Sequence, residues 1–104
     1  MARLNWTEPA LTDLDAITEY IALDNTQAAT RLVEKVLSRA ERLEAYPRSG
    51  KHPPELTGTP YREVVVGPSR IFYKVENDDV YILCVMRSER LLQPYLLQQR
   101  EDGR

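Results

Sequence analysis

The sequence holds one cysteine, Cys84, and one histidine, His52, in 104 residues. A single cysteine excludes an intrachain disulfide and any cysteine-rich zinc module, and it fits a reducing compartment. His52 lies between Lys51 and Pro53 with no Cys, Asp or Glu at ligand spacing, so neither a metal nor a cofactor is expected. A glycine-rich phosphate loop is also missing, which removes the common nucleotide-binding motifs. No apolar run approaches the roughly 18 residues of a membrane span, and Met1-Ala2-Arg3-Leu4-Asn5 opens no signal-peptide apolar region. A cytoplasmic protein without a membrane partner is the expectation. A basic excess is lacking too: 14 Lys+Arg against 16 Asp+Glu give a net charge of −2. Modules that grip phosphate usually carry the opposite balance, so nucleic acid is disfavoured as the main partner. Residues 1–46 hold five basic and eight acidic side chains while 61–90 hold five of each, which confines any local basic patch to the later half.

What is present reads as one α+β domain spanning residues 1–104. Ala2, Leu4 and Trp6 alternate with Arg3 and Asn5, the period of a strand with one buried face. Thr7 is a good helix N-cap, and Glu8-Pro9 suit a first turn where an anion is favoured and a missing N–H costs nothing. Leu11, Leu14, Ile17, Tyr20 and Ile21 then recur at helical spacing. Asp24-Asn25-Thr26 interrupts the pattern, and Ala29, Leu32, Val33, Val36, Leu37, Ala40 and Leu43 begin a second stripe that Tyr46-Pro47 ends. Joined by so short a turn, the two helices must form an antiparallel hairpin.

Residues 47–60 contain four of the seven prolines and two of the four glycines, an irregular connection rather than a linker. Strand-like runs follow at Tyr61–Gly67, Arg70–Glu76 and Val80–Met86, separated by Gly67-Pro68-Ser69 and Asn77-Asp78-Asp79. The predicted order is βααβββ, an N-terminal helical hairpin packed on a small antiparallel sheet. In the tail, Leu91, Leu92, Leu96 and Leu97 suggest one or two helical turns broken around Pro94, with a frayed, flexible end from about residue 98.

The chemistry-bearing candidates are basic groups on or just after the strands: Arg62, Arg70, Lys74, Arg87 and Arg90, with Tyr61, Tyr73 and Tyr95. Arg70 and Lys74 share a strand face with Phe72, a pattern that permits a basic concave surface. The competing account pairs each arginine with a neighbouring carboxylate such as Glu63, Glu76 or Glu89. Cys84 sits inside an apolar run, where it reads as a small buried hydrophobe.

The order of elements, together with Trp6-Thr7-Glu8-Pro9-Ala10, Tyr46-Pro47-Arg48-Ser49-Gly50, Gly58-Thr59-Pro60-Tyr61-Arg62-Glu63 and Arg70-Ile71-Phe72-Tyr73-Lys74-Val75-Glu76, resembles the RelE/ParE superfamily of bacterial type II toxins. The resemblance implies a toxin silenced by a cognate antitoxin in a hetero-oligomer. It also implies one of two targets: the ribosome, where RelE-like members cleave mRNA without a metal, or DNA gyrase, which ParE-like members poison. Under the ribonuclease alternative the matching residues are Arg62, Arg70, Arg87 and Tyr95, but a second strand lysine of that branch is Val64 here. Against the gyrase branch, a frequent His-x-Arg ending reads Met86-Arg87-Ser88. A net charge of −2 steers poorly toward ribosomal RNA, and the long second helix can present a face to a protein partner, so the gyrase-directed reading is favoured. Arg87, Ser88, Glu89 and Arg90 then become the expected target-binding segment, polar yet held by a strand. A non-toxic binding module of the same fold is the third reading.

Overall fold

Strand β1 (Arg3–Trp6) passes through a single residue, Thr7, into helix α1 (Glu8–Ala22). Thr7 does two jobs: its Oγ1 accepts the Ala10 N–H at 3.4 Å and donates to the Ile82 carbonyl at 2.6 Å, so the cap also ties the helix start to the sheet. Asn25 caps α2 (Thr26–Ala45) by accepting the Ala28 N–H at 3.0 Å. The computed structural model describes residues 1–103; beyond the hairpin it contains a 3-10 turn at Pro54–Leu56, strands β2 (Arg62–Val66), β3 (Ser69–Glu76) and β4 (Asp79–Arg87), and helix α3 (Leu96–Asp102).

The sheet order is β1-β4-β3-β2. Strands β2, β3 and β4 form the expected antiparallel meander, and β1 adds in parallel to β4, so the four-stranded sheet is mixed. Alternation in a sequence reveals a strand's faces but not its neighbour, which is why β1's direction was not legible. Between the pairs Phe72–Cys84 and Tyr73–Ile82 the register shifts by one, leaving Leu83 as a bulge that turns it and Cys84 toward the same apolar cluster.

Each face of the sheet is covered. Val64, Val66, Ile71, Tyr73, Val80 and Ile82 pack against the helical hairpin through Leu14, Leu32, Val36, Ala40 and Leu43. On the reverse face Phe72, Leu83 and Cys84 lie beneath Leu56, Tyr61, Leu92 and Leu97. The tail therefore departs from the expected flexible end: α3 is helical through Asp102 and its Leu97 is fully buried. Its anchors are long-range and polar. Arg100 pairs with Asp13 of α1 and donates to the Leu83 carbonyl at 2.9 Å, and Glu101 accepts from Lys74 and, at 2.7 Å, from the Tyr61 hydroxyl. None of this leaves a periodic signal in Gln98-Gln99-Arg100-Glu101-Asp102.

Gly50 is where the irregular connection touches the core. Its N–H donates to Tyr73 Oη at 2.9 Å, and a Cβ there would fall 2.5 Å from that oxygen and 2.7 Å from the Glu63 carbonyl. Only glycine lets the backbone come so close to a fully buried tyrosine.

Candidate functional site

Alternation along β3 turns Ser69, Ile71, Tyr73 and Val75 toward the hairpin and Arg70, Phe72, Lys74 and Glu76 toward the reverse face. Arg70 is buried there between two carboxylates. It reaches Glu55 at 2.7 and 2.8 Å and Glu63 at 2.6 and 2.9 Å, with its guanidinium carbon 4.7 Å from the centre of the Phe72 ring. The forked bonds to Arg70 hold the Glu55 carboxyl down at about 2, and the same bonds raise Arg70 above its ordinary value. Lys74 is taken by Glu101. The basic concave surface that the β3 pattern permits is thus neutralised side chain by side chain, as the pairing account expects for Arg70 and Glu63.

Arg62 stands opposite Tyr73 in the β2–β3 ladder and so projects to the hairpin face, the other side of the sheet from Arg70. It donates to the carbonyls of Arg48 and Gly50 at 3.1 and 2.8 Å, bracing the start of the irregular connection. Val64, on Arg62's face, is buried in the hairpin core. Tyr95 is 72% exposed at the start of α3. The four residues of the ribonuclease alternative do not converge.

Arg87, Ser88, Glu89 and Arg90 leave β4 in a turn closed by Arg90 N–H to the Arg87 carbonyl at 3.1 Å, rather than in a helix, and Ser88 N–H donates to the Pro68 carbonyl at 2.8 Å. Ser88, Glu89 and Arg90 are exposed. Arg87 pairs with Glu89 at 2.6 Å and stacks 4.9 Å from the ring centre of Tyr20 on α1. Arg87 and Arg90 border one cleft of about 190 Å³ together with Asp13 and Arg100. The turn brings the two arginines together beside α1 and α3. His52 is an exposed loop residue whose Nδ1 lies 3.0 Å from the Tyr61 carbonyl, and burial pushes the Cys84 thiol up to about 12, which leaves it inert as a nucleophile.

Glu55, Asp13, Glu101 and Tyr20 define this electrostatic frame and were not singled out from the sequence. Each meets its cation across at least 15 residues of chain. The pairings that left a local signal are those of Glu63 with Arg70, on adjacent strands, and of Glu89 with Arg87, two residues apart.

Residues 4–92 match the family model described as the ParE toxin of the type II toxin-antitoxin system, parDE. Toxin RelE2 of Caulobacter vibrioides is 36% identical over 91 residues, covering 88% of this chain and 100% of the relative. The Sinorhizobium fredii protein Y4kP is 38% identical over 90 residues, covering 85% of this chain and 90% of its own. A chain of the solved chromosomal ParDE TA system from P. aeruginosa superposes with a TM-score of 0.70 at 27% identity, covering 86% of this chain and 98% of that one. Mixed sheet, hairpin and sequence agree: the chain belongs to the ParE toxin family of type II toxin–antitoxin systems, within the RelE/ParE superfamily, and an antitoxin is its partner.

Proposed function

We propose that this toxin is directed at DNA gyrase, that it blocks replication and growth until its antitoxin covers it, and that Arg87, Ser88, Glu89 and Arg90 contact the target. The observation that carries the reading is the scatter of the cations a metal-independent ribonuclease would need. Such an enzyme requires a base for the ribose 2′-OH, an acid for the leaving oxygen and cations around one phosphorane-like transition state. Arg62 and Arg70 lie on opposite faces of the sheet, and Arg70 is saturated by Glu55 and Glu63. Freeing Arg70 for phosphate would strand two carboxylates beside a substrate of like charge. By contrast the turn after β4 is exposed on a rigid strand end, the setting of a recognition surface. The net charge of −2 points the same way, since it gives no steering toward dense RNA phosphate. Purified toxin added to gyrase and relaxed plasmid should inhibit supercoiling or trap cleaved DNA. Unimpeded supercoiling, with codon-positioned mRNA cuts in a translating extract, would reverse the assignment and make Arg62, Arg70, Arg87 and Tyr95 the residues to pursue as catalytic.

A further inference from the structure

Beside the turn after β4, hydrocarbon and charge lie together in an arrangement that the toxin's own fold does not use. The cleft of about 190 Å³ has an apolar lining made by Ala16 and Ile17 of α1, Cys84, Val85 and Met86 of β4 and Leu96 of α3. Three elements meet here without closing over one another: Ala16 is exposed, and Ile17, Met86 and Leu96 are only partly buried.

The polar groups at its margin divide into those already committed and one that is not. Asp13 accepts from Arg100 and, at 3.0 Å, from the Val85 N–H, while Arg100 also donates to the Leu83 carbonyl at 2.9 Å. Arg87 is held by Glu89 and by the Tyr20 ring. Arg90 is exposed and forms no ion pair among the described residues. With Asp13 matched by Arg100 and Glu89 by Arg87, the margin keeps the positive charge of Arg90 in excess.

Size selects the occupant. A cavity of ~150 Å³ already admits a benzene ring, whereas small-molecule and cofactor sites run to roughly 300–1,000 Å³. The cleft therefore suits one side chain and is too small for a cofactor. No aromatic ring lines it, so a nucleic-acid base would find nothing to stack on, and a phosphate would be stranded on hydrocarbon. A protein supplies what both parts need, an apolar side chain for the floor and a carboxylate for Arg90.

We propose that the cleft receives a single leucine- or phenylalanine-sized side chain of the toxin's protein target, with a neighbouring Asp or Glu of that target paired to Arg90. Resting on the reading that the turn after β4 meets the target, this anchor adds Ala16, Ile17, Met86 and Leu96 to the contact surface.

Ala16→Trp tests the anchor by filling the cleft from an exposed helix position, where a larger side chain costs the fold little. Asp15→Trp puts the same indole one residue away, exposed and outside the cleft. Binding to purified gyrase should weaken about tenfold in Ala16→Trp and about tenfold in Arg90→Glu, with Asp15→Trp matching the parent and every thermal midpoint holding. The expression level needed for growth arrest should rise in the same two variants, a readout that applies whichever protein is the target. Ala16→Leu, a smaller filler with a helix propensity close to that of alanine, gives the same reading if the tryptophan disturbs folding. A parent chain that fails to bind gyrase would overturn the gyrase assignment, and growth arrest would then decide for or against the cleft. Undiminished arrest by the filled variant or by Arg90→Glu at a preserved midpoint, or equal losses in Ala16→Trp and Asp15→Trp, would overturn the anchor.

Discussion

At Arg70 one guanidinium satisfies two carboxylates brought from different parts of the chain, Glu63 on the adjacent strand and Glu55 on the 3-10 turn. Glu55 also accepts the Leu92 N–H at 3.3 Å, so a single carboxylate links the irregular connection, the sheet and the tail. Because its folded value lies at about 2 against an ordinary 4.5, ionised Glu55 stabilises the fold fully above pH 4.5, and that contribution is lost as pH falls toward 2. We predict that Glu55→Gln lowers stability by about 1–3 kcal/mol at neutral pH and that the gap to the parent protein closes on acidification. Thermal midpoints of the two proteins measured across that acid range provide the check; parallel curves would show that Glu55 titrates normally. The Glu63–Arg70 contact was legible from neighbouring strands. Glu55 was not, because proline-rich connections carry no period that says which way a side chain turns.

At the scale of elements, the hairpin and the meander were readable because each has a strong period and well-placed turn residues. The tail was not. Helix α3 is seven residues long, too short to be stable alone, and it exists because Leu97 fills a hole on the reverse face while Arg100 and Glu101 reach Asp13, Lys74 and Tyr61. The turn at Arg87, Ser88, Glu89 and Arg90 borders a cleft beside that helix and α1, its backbone held by the bonds from Ser88 N–H to the Pro68 carbonyl and from Arg90 N–H to the Arg87 carbonyl, while Ser88, Glu89 and Arg90 face water. Arg87→Ala with Arg90→Ala should therefore weaken toxicity strongly while costing about 1 kcal/mol or less, the worth of one exposed ion pair and one exposed stacking contact. Growth arrest titrated against expression level, beside a melting curve, distinguishes the outcomes. Undiminished toxicity would move the target contact to another surface, and a large fall in the midpoint would mark these arginines as structural.

For the whole molecule, the arrangement of charge matters more than its sum. A net charge of −2 conceals a sheet whose cations are held by carboxylates or carbonyls, a helix side on which Arg31, Lys35, Arg39 and Arg42 meet no carboxylate among the described residues, and an exposed turn carrying Arg90. The superfamily was legible in the sequence because its element order and its Gly50, Thr7 and Arg70 positions are demanded by the fold: a close approach, a shared cap and a buried ion cluster. The target was not, because arginines that look equivalent along a strand can lie on opposite faces or be consumed by distant carboxylates. The central claim, a toxin that stops DNA replication rather than reading mRNA, is tested most directly by following thymidine and methionine incorporation together after the toxin is induced without its antitoxin. Thymidine incorporation should fall first, while methionine incorporation continues until replication has already stalled. An immediate loss of methionine incorporation with DNA synthesis still running would contradict it.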